Sequence, residues 1–195
     1  DRTDLLTVEA GIDAEVNRHF AKHFASNNYR SGRNFIGLSV AKKYIRNFVN
    51  LEKNDILSGK AIKIIALEEL LQIEHQVPGL EFPVGLKGIA DRIDQVDGIT
   101  RIVDYKTGRV SKSELNLKNW EALILDEKNS KSFQVLFYAY LYREISNPDT
   151  EISSGIYSFK NLKEGFLQFN EKVVSSDDLQ SFVAQLDLLI QTIFN

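Results

Sequence analysis

Cysteine is absent from the 195-residue chain, and this absence removes several kinds of chemistry. Disulfides, cysteine nucleophiles, thiolate zinc sites and cysteine-ligated iron–sulfur clusters are all excluded. Any bound metal would have oxygen or nitrogen ligands, and oxygen ligands favour hard cations such as Mg²⁺. We therefore expect metal chemistry of that kind and no iron–sulfur cluster.

The chain also lacks a long apolar run and a surplus of basic residues. No stretch approaches the roughly 20 apolar residues of a membrane helix, and the first residues lack the features of a signal peptide. We expect a soluble, cytoplasmic protein without a membrane partner. Because the formal net charge is −3, nucleic-acid binding would have to rest on local patches.

The composition, 43% hydrophobic and 26% charged, is that of a globular protein. We expect a single domain over residues 1–195, with a helical N-terminal part (1–60), a core (62–170) and a C-terminal helix (175–195). The sequence starts without methionine and within a helical pattern. We therefore also expect it to be a fragment of a larger protein.

Helical periodicity marks four regions of the chain. Apolar residues recur at every fourth position over 10–24, a second helix is expected over 38–51, and the polar segment 26–34 between them is expected to be a loop. A long apolar and aromatic run over 132–145 predicts a largely buried helix. The last helix is expected over 179–194. The first stripe consists of Ile12, Val16, Phe20 and Phe24.

Strand patterns fill the middle of the chain. Apolar and polar residues alternate over 71–77, Pro78-Gly79 supplies a turn, and a long strand is expected from Phe82 onward. Asp97-Gly98 between two β-rich runs predicts a tight hairpin. Residues 107–130 are polar and irregular, and strands return at 151–159 and 165–170. This order favours an α/β or α+β fold around one central sheet.

The predicted hairpin brings two carboxylates together. A two-residue turn places Val96 opposite Ile99, and counting back along both strands places Asp91 opposite Asp104. Like charges in direct opposition are destabilising unless something neutralises them, so this pair indicates a cation site. Alternation places Ile89, Asp91 and Ile93 on one face. It places Ile102, Asp104 and Lys106 on the same face, with Ala90, Val103 and Tyr105 on the other.

Burial among isoleucines would cost several kcal/mol for carboxylates that are neither paired nor bound to a metal. The alternative is a surface cluster of ion pairs in which Lys106 and Arg92 balance the aspartates. Both hairpin faces carry apolar residues, which favours a covered site over that surface cluster.

At these residues the sequence resembles the RecB-like branch of the PD-(D/E)XK nucleases. The branch has a G-x-x-D-R-x-D strand, matched from Gly88 to Asp94, and a D-Y-K-T-G strand, matched from Asp104 to Gly108. A glutamine and a tyrosine on a following helix are matched by Gln134 and Tyr138. The resemblance implies a restriction-endonuclease-like fold, which is a central mixed sheet flanked by helices.

The resemblance also implies an activity and a set of site residues. We expect a Mg²⁺- or Mn²⁺-dependent DNA exonuclease of recombination and repair, associated with a helicase domain or subunit. Asp91, Asp104 and the Tyr105 backbone carbonyl would hold the metal. Lys106 would be catalytic, and Gln134 and Tyr138 would position the site. Arg92, Arg109 and Lys112 are expected to be either phosphate contacts or solvated surface charges.

The metal-binding histidine of the branch has no clear match. His19 and His23 have the spacing of a ligand pair but flank an apolar helix stripe, so the family histidine is expected before Asp1. His75, within a strand pattern, is interpreted as structural. Glu68 resembles a family glutamate, although a solvated Glu68-Glu69 pair is the simpler interpretation.

Two other functions stay open at this point. A catalytically inactive DNA-binding or scaffold domain of the same fold would suit the missing histidine, because fold alone does not guarantee chemistry. An unrelated module could instead use the aspartates to bind Ca²⁺. Lys106 argues against the calcium module, because a calcium site gains nothing from a neighbouring cation.

Overall fold

The computed structural model describes residues 2–23, 31–147 and 149–194. The chain divides into two compact units, Asp1–Lys60 and Ala61–Asn195. Within the described ranges, no helix combines the length and apolar character needed to cross a bilayer.

The first unit is a pair of helices, α1 (Arg2–His23) and α2 (Gly32–Leu57). Ile12 and Val16 of α1 pack against Leu38 of α2, as their helical spacing predicts. Phe24, the last residue of the predicted stripe, lies outside the described residues. The predicted end of the loop over 26–34 is wrong, because α2 already begins at Gly32.

The second unit is built on five strands in the order β1-β2-β3-β4-β5. β3 and β4 are parallel, and the other neighbouring pairs are antiparallel. The strands are β1 (Ile62–His75), β2 (Val84–Val96), β3 (Ile99–Lys106), β4 (Ile152–Ser158) and β5 (Phe166–Gln168).

Three helices accompany the sheet: α3 (Ala122–Leu125), α4 (Ser130–Ile145) and α5 (Ser176–Phe194). α4 contacts the first four strands, and α5 packs against α3 and α4. This mixed sheet flanked by helices confirms the predicted α+β class. The core between the sheet and the helices is apolar and enclosed. Its buried members include Leu71, Ile93, Ile102, Leu136, Ile156 and Phe182.

The segment between β3 and α4 is less irregular than expected. It contains the single-turn helix α3 and two 3-10 turns, Lys112–Leu115 and Glu127–Asn129. Two further 3-10 turns, Phe159–Glu164 and Phe169–Glu171, flank β5. The first turn is closed by a capping box in which Ser111 and Glu114 satisfy each other's backbone amides. Local capping therefore orders a stretch that has no hydrophobic periodicity.

The alternation predicted for β2 is wrong beside Asp91. Ile89 is 56% exposed, whereas Ala90 is buried in the same core as Ile93 and Ile102. The neighbouring strand is irregular at the same level: Glu68, between the pairs Leu67↔Arg92 and Glu69↔Ala90, has a φ of 50°, and the register of β1 against β2 shifts between Ile64 and Ala66. A left-handed residue reverses the pleat locally, so Ile89 lies on the face opposite α4.

Candidate active site

The β2–β3 hairpin has the predicted register. Asp97 and Gly98 have φ values of 53° and 93°, as the turn favoured for two-residue hairpins requires. Val96 pairs with Ile99, Ile93 with Ile102, and the ladder ends at Arg92↔Val103. Beyond that pair the strands are joined by the Asp91 side chain, whose Oδ2 accepts a hydrogen bond from the Tyr105 backbone N–H at 2.7 Å.

Asp104 lies next in the hairpin and is only 6% exposed. Lys106 Nζ lies 3.1 Å from its Oδ1 and 2.9 Å from its Oδ2. Gln134 Nε2 of α4 donates to Oδ1 at 3.0 Å. Oδ2 receives no hydrogen bond from any residue that the structure describes, so Lys106 contacts it as an ion-pair partner only. A buried carboxylate oxygen in this state can accept a further cation.

Burial raises the pKa of Asp104, and the nearby charge of Asp91 adds to that rise. The hydrogen bond and positive charge of Lys106 act in the opposite direction without cancelling it. The ionised form of Asp104 is therefore under-stabilised in the protein alone. A divalent cation beside the two aspartates would stabilise the ionised form of Asp104.

The helix α4 supplies the expected glutamine and tyrosine. Gln134 Nε2, which donates to Asp104, also lies 3.4 Å from the Tyr138 hydroxyl, so the tyrosine contacts the glutamine. The Tyr138 ring covers Gly88, where a Cβ atom would lie 2.7 Å from Tyr138 Cε1. Glycine in the G-x-x-D motif is thus explained by this close approach of helix to strand.

A cavity of about 630 Å³ opens beside Asp91. Its lining is Leu67, Glu68, Asp91 and Tyr105. Glu68 is exposed, as the solvated interpretation requires, yet it also lines this cavity. The left-handed backbone of Glu68 brings it there, and the sequence carries no signal of that conformation.

The phosphate contact predicted for Arg92 is wrong. Arg92 is 3% exposed, and its Nε lies 2.7 Å from Asp94 Oδ2. Because it is buried and ion-paired, Arg92 is not accessible to a phosphate group. Arg92 also cannot balance Asp91 and Asp104 in a surface cluster. Arg109 and Lys112 are both exposed, and Lys112 pairs with Glu171 at 2.7 Å.

No partner was predicted for Asp94 from the sequence, although the predicted register contained one. Asp94 lies opposite Arg101 in the hairpin. Arg101 Nε and Nη2 each donate to one Asp94 oxygen at 2.7 Å. Burial disfavours the charge of Arg101, but the hydrogen bonds to Asp94 and Tyr157, together with the charges of these two groups, raise the pKa of Arg101. The counting that paired Asp91 with Asp104 would also have paired these two residues.

His19 and His23 belong to the first unit and His75 to the second. His19 and His23 are exposed on α1, and His19 Nε2 lies 3.1 Å from Glu15. His75 is 7% exposed; its Nε2 lies 2.6 Å from Asp187, and its Nδ1 lies 2.8 Å from the Tyr140 hydroxyl. These contacts join β1 to α4 and α5, as a structural histidine would.

The donors near Asp91 and Asp104 fit a weakly held divalent metal. Over the described parts of the chain, no three His, Asp or Glu side chains form a preformed metal cage. Two carboxylates and a backbone carbonyl are oxygen donors, which suit Mg²⁺ or Mn²⁺ when water and phosphate complete the shell. The raised pKa of Asp104 and its incompletely bonded oxygen support the same fit.

Comparison with known families gives one match. The family model of the PD-(D/E)XK nuclease superfamily matches residues 3–195, which include both strand motifs and α4. No curated protein and no solved structure matches the chain. The five-stranded mixed sheet agrees with the restriction-endonuclease-like fold of this superfamily.

Proposed function

Because the chain belongs to the PD-(D/E)XK nuclease superfamily, we propose that it is a divalent-metal-dependent deoxyribonuclease with Asp91, Asp104 and Lys106 at its catalytic centre. Membership implies nuclease-type hydrolysis of phosphodiester bonds, with DNA as substrate and divalent metals as cofactors. The finer proposal is a RecB- or AddB-like exonuclease of recombination and repair that works with a helicase. The residue motifs support that branch.

The observation that carries the proposal is the environment of Asp104. A nearly buried carboxylate beside a second aspartate keeps a raised pKa even with a lysine at 2.9 Å, which is an unfavourable arrangement for the protein alone. Perturbed carboxylates of this kind are concentrated at functional sites. The arrangement becomes favourable when a divalent cation lies between the aspartates.

Each residue then has a definite task. Asp91, Asp104 and the Tyr105 carbonyl would hold Mg²⁺ or Mn²⁺, which supplies Lewis-acid stabilisation of phosphate charge when bound. Lys106 follows Asp104 by two residues and contacts it, so its ammonium can donate to the scissile phosphate or orient the attacking water. Gln134 holds Asp104 in place by its hydrogen bond.

The decisive experiment is Lys106→Ala. We expect Mg²⁺-dependent cleavage of linear single-stranded and duplex DNA to fall by a factor on the order of 10²–10³, the usual loss for one transition-state donor. Folding and DNA affinity in the presence of the metal should stay close to those of the unaltered protein, because the metal still neutralises the aspartates.

Lys131→Ala is the matched control, since Lys131 is also a partly buried, ion-paired lysine, with Glu114 as its partner. It should leave cleavage unchanged. Cleavage that is unchanged in Lys106→Ala, or an unaltered protein without metal-dependent cleavage, would refute the nuclease proposal. The second result would favour an inactive scaffold of the same fold.

A further inference from the structure

A buried charge cluster lies on the sheet face opposite α4. Asp94 is 0% exposed and is flanked by two arginines. Arg101 forms two 2.7 Å hydrogen bonds to its two oxygens, and Arg92 Nε lies 2.7 Å from Oδ2. The single carboxylate thus fixes the Arg101 guanidinium by a two-pronged hydrogen bond and contacts Arg92, on the neighbouring strand, as an ion-pair partner.

Each arginine extends the cluster to one tyrosine. Arg92 Nη1 lies 3.4 Å from the Tyr105 hydroxyl, and Arg101 Nη1 lies 3.2 Å from the Tyr157 hydroxyl. The two tyrosine rings stack on each other with centroids 6.2 Å apart, and Tyr105 also stacks on Phe159 at 5.8 Å. Asp94 therefore anchors an aromatic layer that includes Tyr105.

Tyr105 connects this layer to the candidate metal site. Its side chain lies in the aromatic layer, while its backbone N–H donates to Asp91 Oδ2 at 2.7 Å on the β2 side. Its neighbours in the chain are Asp104 and Lys106, which contact each other on the α4 side. A rotation of the Tyr105 peptide would displace its neighbours Asp104 and Lys106, and it would also move the N–H group that donates to Asp91.

If the cluster had only a structural role, its net contribution to the free energy of folding would be small or unfavourable. Taking one carboxylate and two guanidinium groups out of water carries a desolvation cost of several kcal/mol per ion, and apolar residues of similar volume often stabilise a fold as well or better. Ion pairs of fixed geometry can instead specify one arrangement of strands and rings. This property matters where a peptide must be held in one orientation.

We infer that Asp94 is a positioning residue: through Arg92 and Arg101 it fixes Tyr105, and thereby the arrangement of Asp91 and Asp104 that receives the metal. The inference rests on the proposed function, since it concerns the metal site of the nuclease. The contacts of Asp94 are with Arg92 and Arg101, so it would act on the metal site through them.

The test compares two buried aspartates, Asp94→Asn and Asp178→Asn. Asp178 is 8% exposed and is hydrogen-bonded to Ser175 and Lys172 at the start of α5, so it is a control for general loss of stability. Mn²⁺ binding to the full chain is measured by titration calorimetry and by the electron paramagnetic resonance signal of free Mn²⁺. Thermal melts are recorded on the same samples.

Both variants should melt at lower temperature than the unaltered protein. Asp94→Asn should also bind Mn²⁺ at least about 10-fold more weakly, the size of effect expected when the partners that orient metal ligands are lost. Asp178→Asn should bind Mn²⁺ with unchanged affinity. If Asp94→Asn does not fold, Arg101→Lys takes its place, because lysine keeps the charge but loses the two-pronged contact.

An Asp94→Asn or Arg101→Lys protein that melts earlier yet binds Mn²⁺ within about twofold of the unaltered affinity would overturn the inference, since the cluster would then only stabilise the fold. A failure of the proposed function would look different. In that case the unaltered protein itself would bind no Mn²⁺, and the metal site would be withdrawn together with this inference.

Discussion

At the scale of single residues, the site depends on how few groups hold Asp104. Its carboxylate is nearly enclosed, and its contacts are one ion pair from its own strand and one amide from α4. A hydrogen bond to a charged group contributes about 1.5–3 kcal/mol, so each partner matters to the position of the oxygens. This dependence gives a direct prediction for the glutamine.

Gln134→Leu removes the amide that donates to Asp104 Oδ1 and replaces it with an apolar side chain of similar size. We expect Mn²⁺ affinity, measured by calorimetry, to fall about 10-fold, because a ligand loses the group that orients it. Gln191→Leu is the control, since that glutamine donates to the Pro78 carbonyl at 2.7 Å, outside the site. Equal affinities in both variants would contradict the role of Gln134.

Gly88 is a second residue whose identity follows from one contact. Gly88→Ala places a Cβ atom 2.7 Å from Tyr138 Cε1, so the ring or the strand must move. We expect a loss of about 1–3 kcal/mol in the free energy of unfolding, the usual cost of overpacking. The measurement is chemical denaturation of the two proteins.

A double-mutant cycle isolates the Gly88 contact from other effects of alanine. In a Tyr138→Leu background the cost of Gly88→Ala should shrink, because the clashing ring atom is gone. Gly85→Ala on the same strand is the control, since among the described residues nothing lies within 4 Å of the place its Cβ atom would take. A cost that is equal in both backgrounds would show that strand propensity, and not the ring, determines glycine at position 88.

At the scale of elements, the sequence predicts most of the second unit. The Asp97-Gly98 turn determines the hairpin register, and that register places the two strand motifs on neighbouring strands. The helix expected over 132–145 is α4, Ser130–Ile145. The strands expected at 151–159 and 165–170 are β4 and β5. Turn chemistry and hydrophobic period are local properties, which explains why these elements can be predicted from sequence.

The first half of β1 could not be predicted in this way. The strand begins at Ile62, well before the alternation at 71–77, and its Ala66-Leu67-Glu68-Glu69-Leu70-Leu71 segment consists largely of good helix formers. Pairing with β2 overrides that preference. The left-handed Glu68, which lines the cavity beside Asp91, lies within this segment of β1. Tertiary contacts, and not local sequence, therefore determine the part of the site that β1 supplies.

The start of α5 offers a test of local capping at this scale. Ser175 and Asp178 form a reciprocal box: Asp178 N–H donates to Ser175 Oγ at 3.1 Å, and Ser175 N–H donates to Asp178 Oδ2 at 3.0 Å. Burial would raise the pKa of Asp178, but hydrogen bonds from Lys172 and Ser175 lower it below its usual value. The charged carboxylate is therefore stabilised in the folded state.

Asp178→Ala should lower the free energy of unfolding by about 0.5–2 kcal/mol at pH 7, the range for loss of a helix cap. Because the pKa is lower in the folded state, the difference between the two proteins should be fully present above the ordinary carboxylate pKa of 3.8. It should disappear as the pH falls through the folded-state pKa. Urea denaturation at several pH values measures this.

The exposed neighbour Asp177 provides the comparison for Asp178. Asp177→Ala changes the same charge in the same helix turn, but Asp177 lies on the exposed side of α5. Its effect at pH 7 should be smaller, because exposed charges near a helix end contribute only a few tenths of a kcal/mol to about 1 kcal/mol. A difference for Asp178→Ala that grew on acidification would contradict the capping-box explanation.

At the scale of the whole molecule, the net charge of −3 shapes how DNA can bind. The field of the chain does not attract a polyanion, and Asp91 and Asp104 would repel the very phosphate that must reach Lys106. A divalent cation at the aspartates changes the sign of this local field. Metal binding and DNA binding should therefore be coupled, whereas an ordinary basic DNA-binding surface needs no metal.

We therefore expect DNA affinity to be about 30-fold higher in Ca²⁺ than in chelator, because two like charges near a phosphate together cost about 2 kcal/mol at close range in water and each 1.4 kcal/mol is a factor of ten. The Asp91→Asn/Asp104→Asn double variant should bind in chelator as the unaltered protein binds in Ca²⁺, with little further response to the ion. Fluorescence anisotropy with a labelled oligonucleotide, under conditions without cleavage, measures all four affinities.

The charge-matched control is Glu121→Gln/Glu127→Gln, which removes two exposed carboxylates outside the site and should keep the full calcium response. If the control loses that response as the aspartate variant does, net charge and not the metal site governs DNA binding.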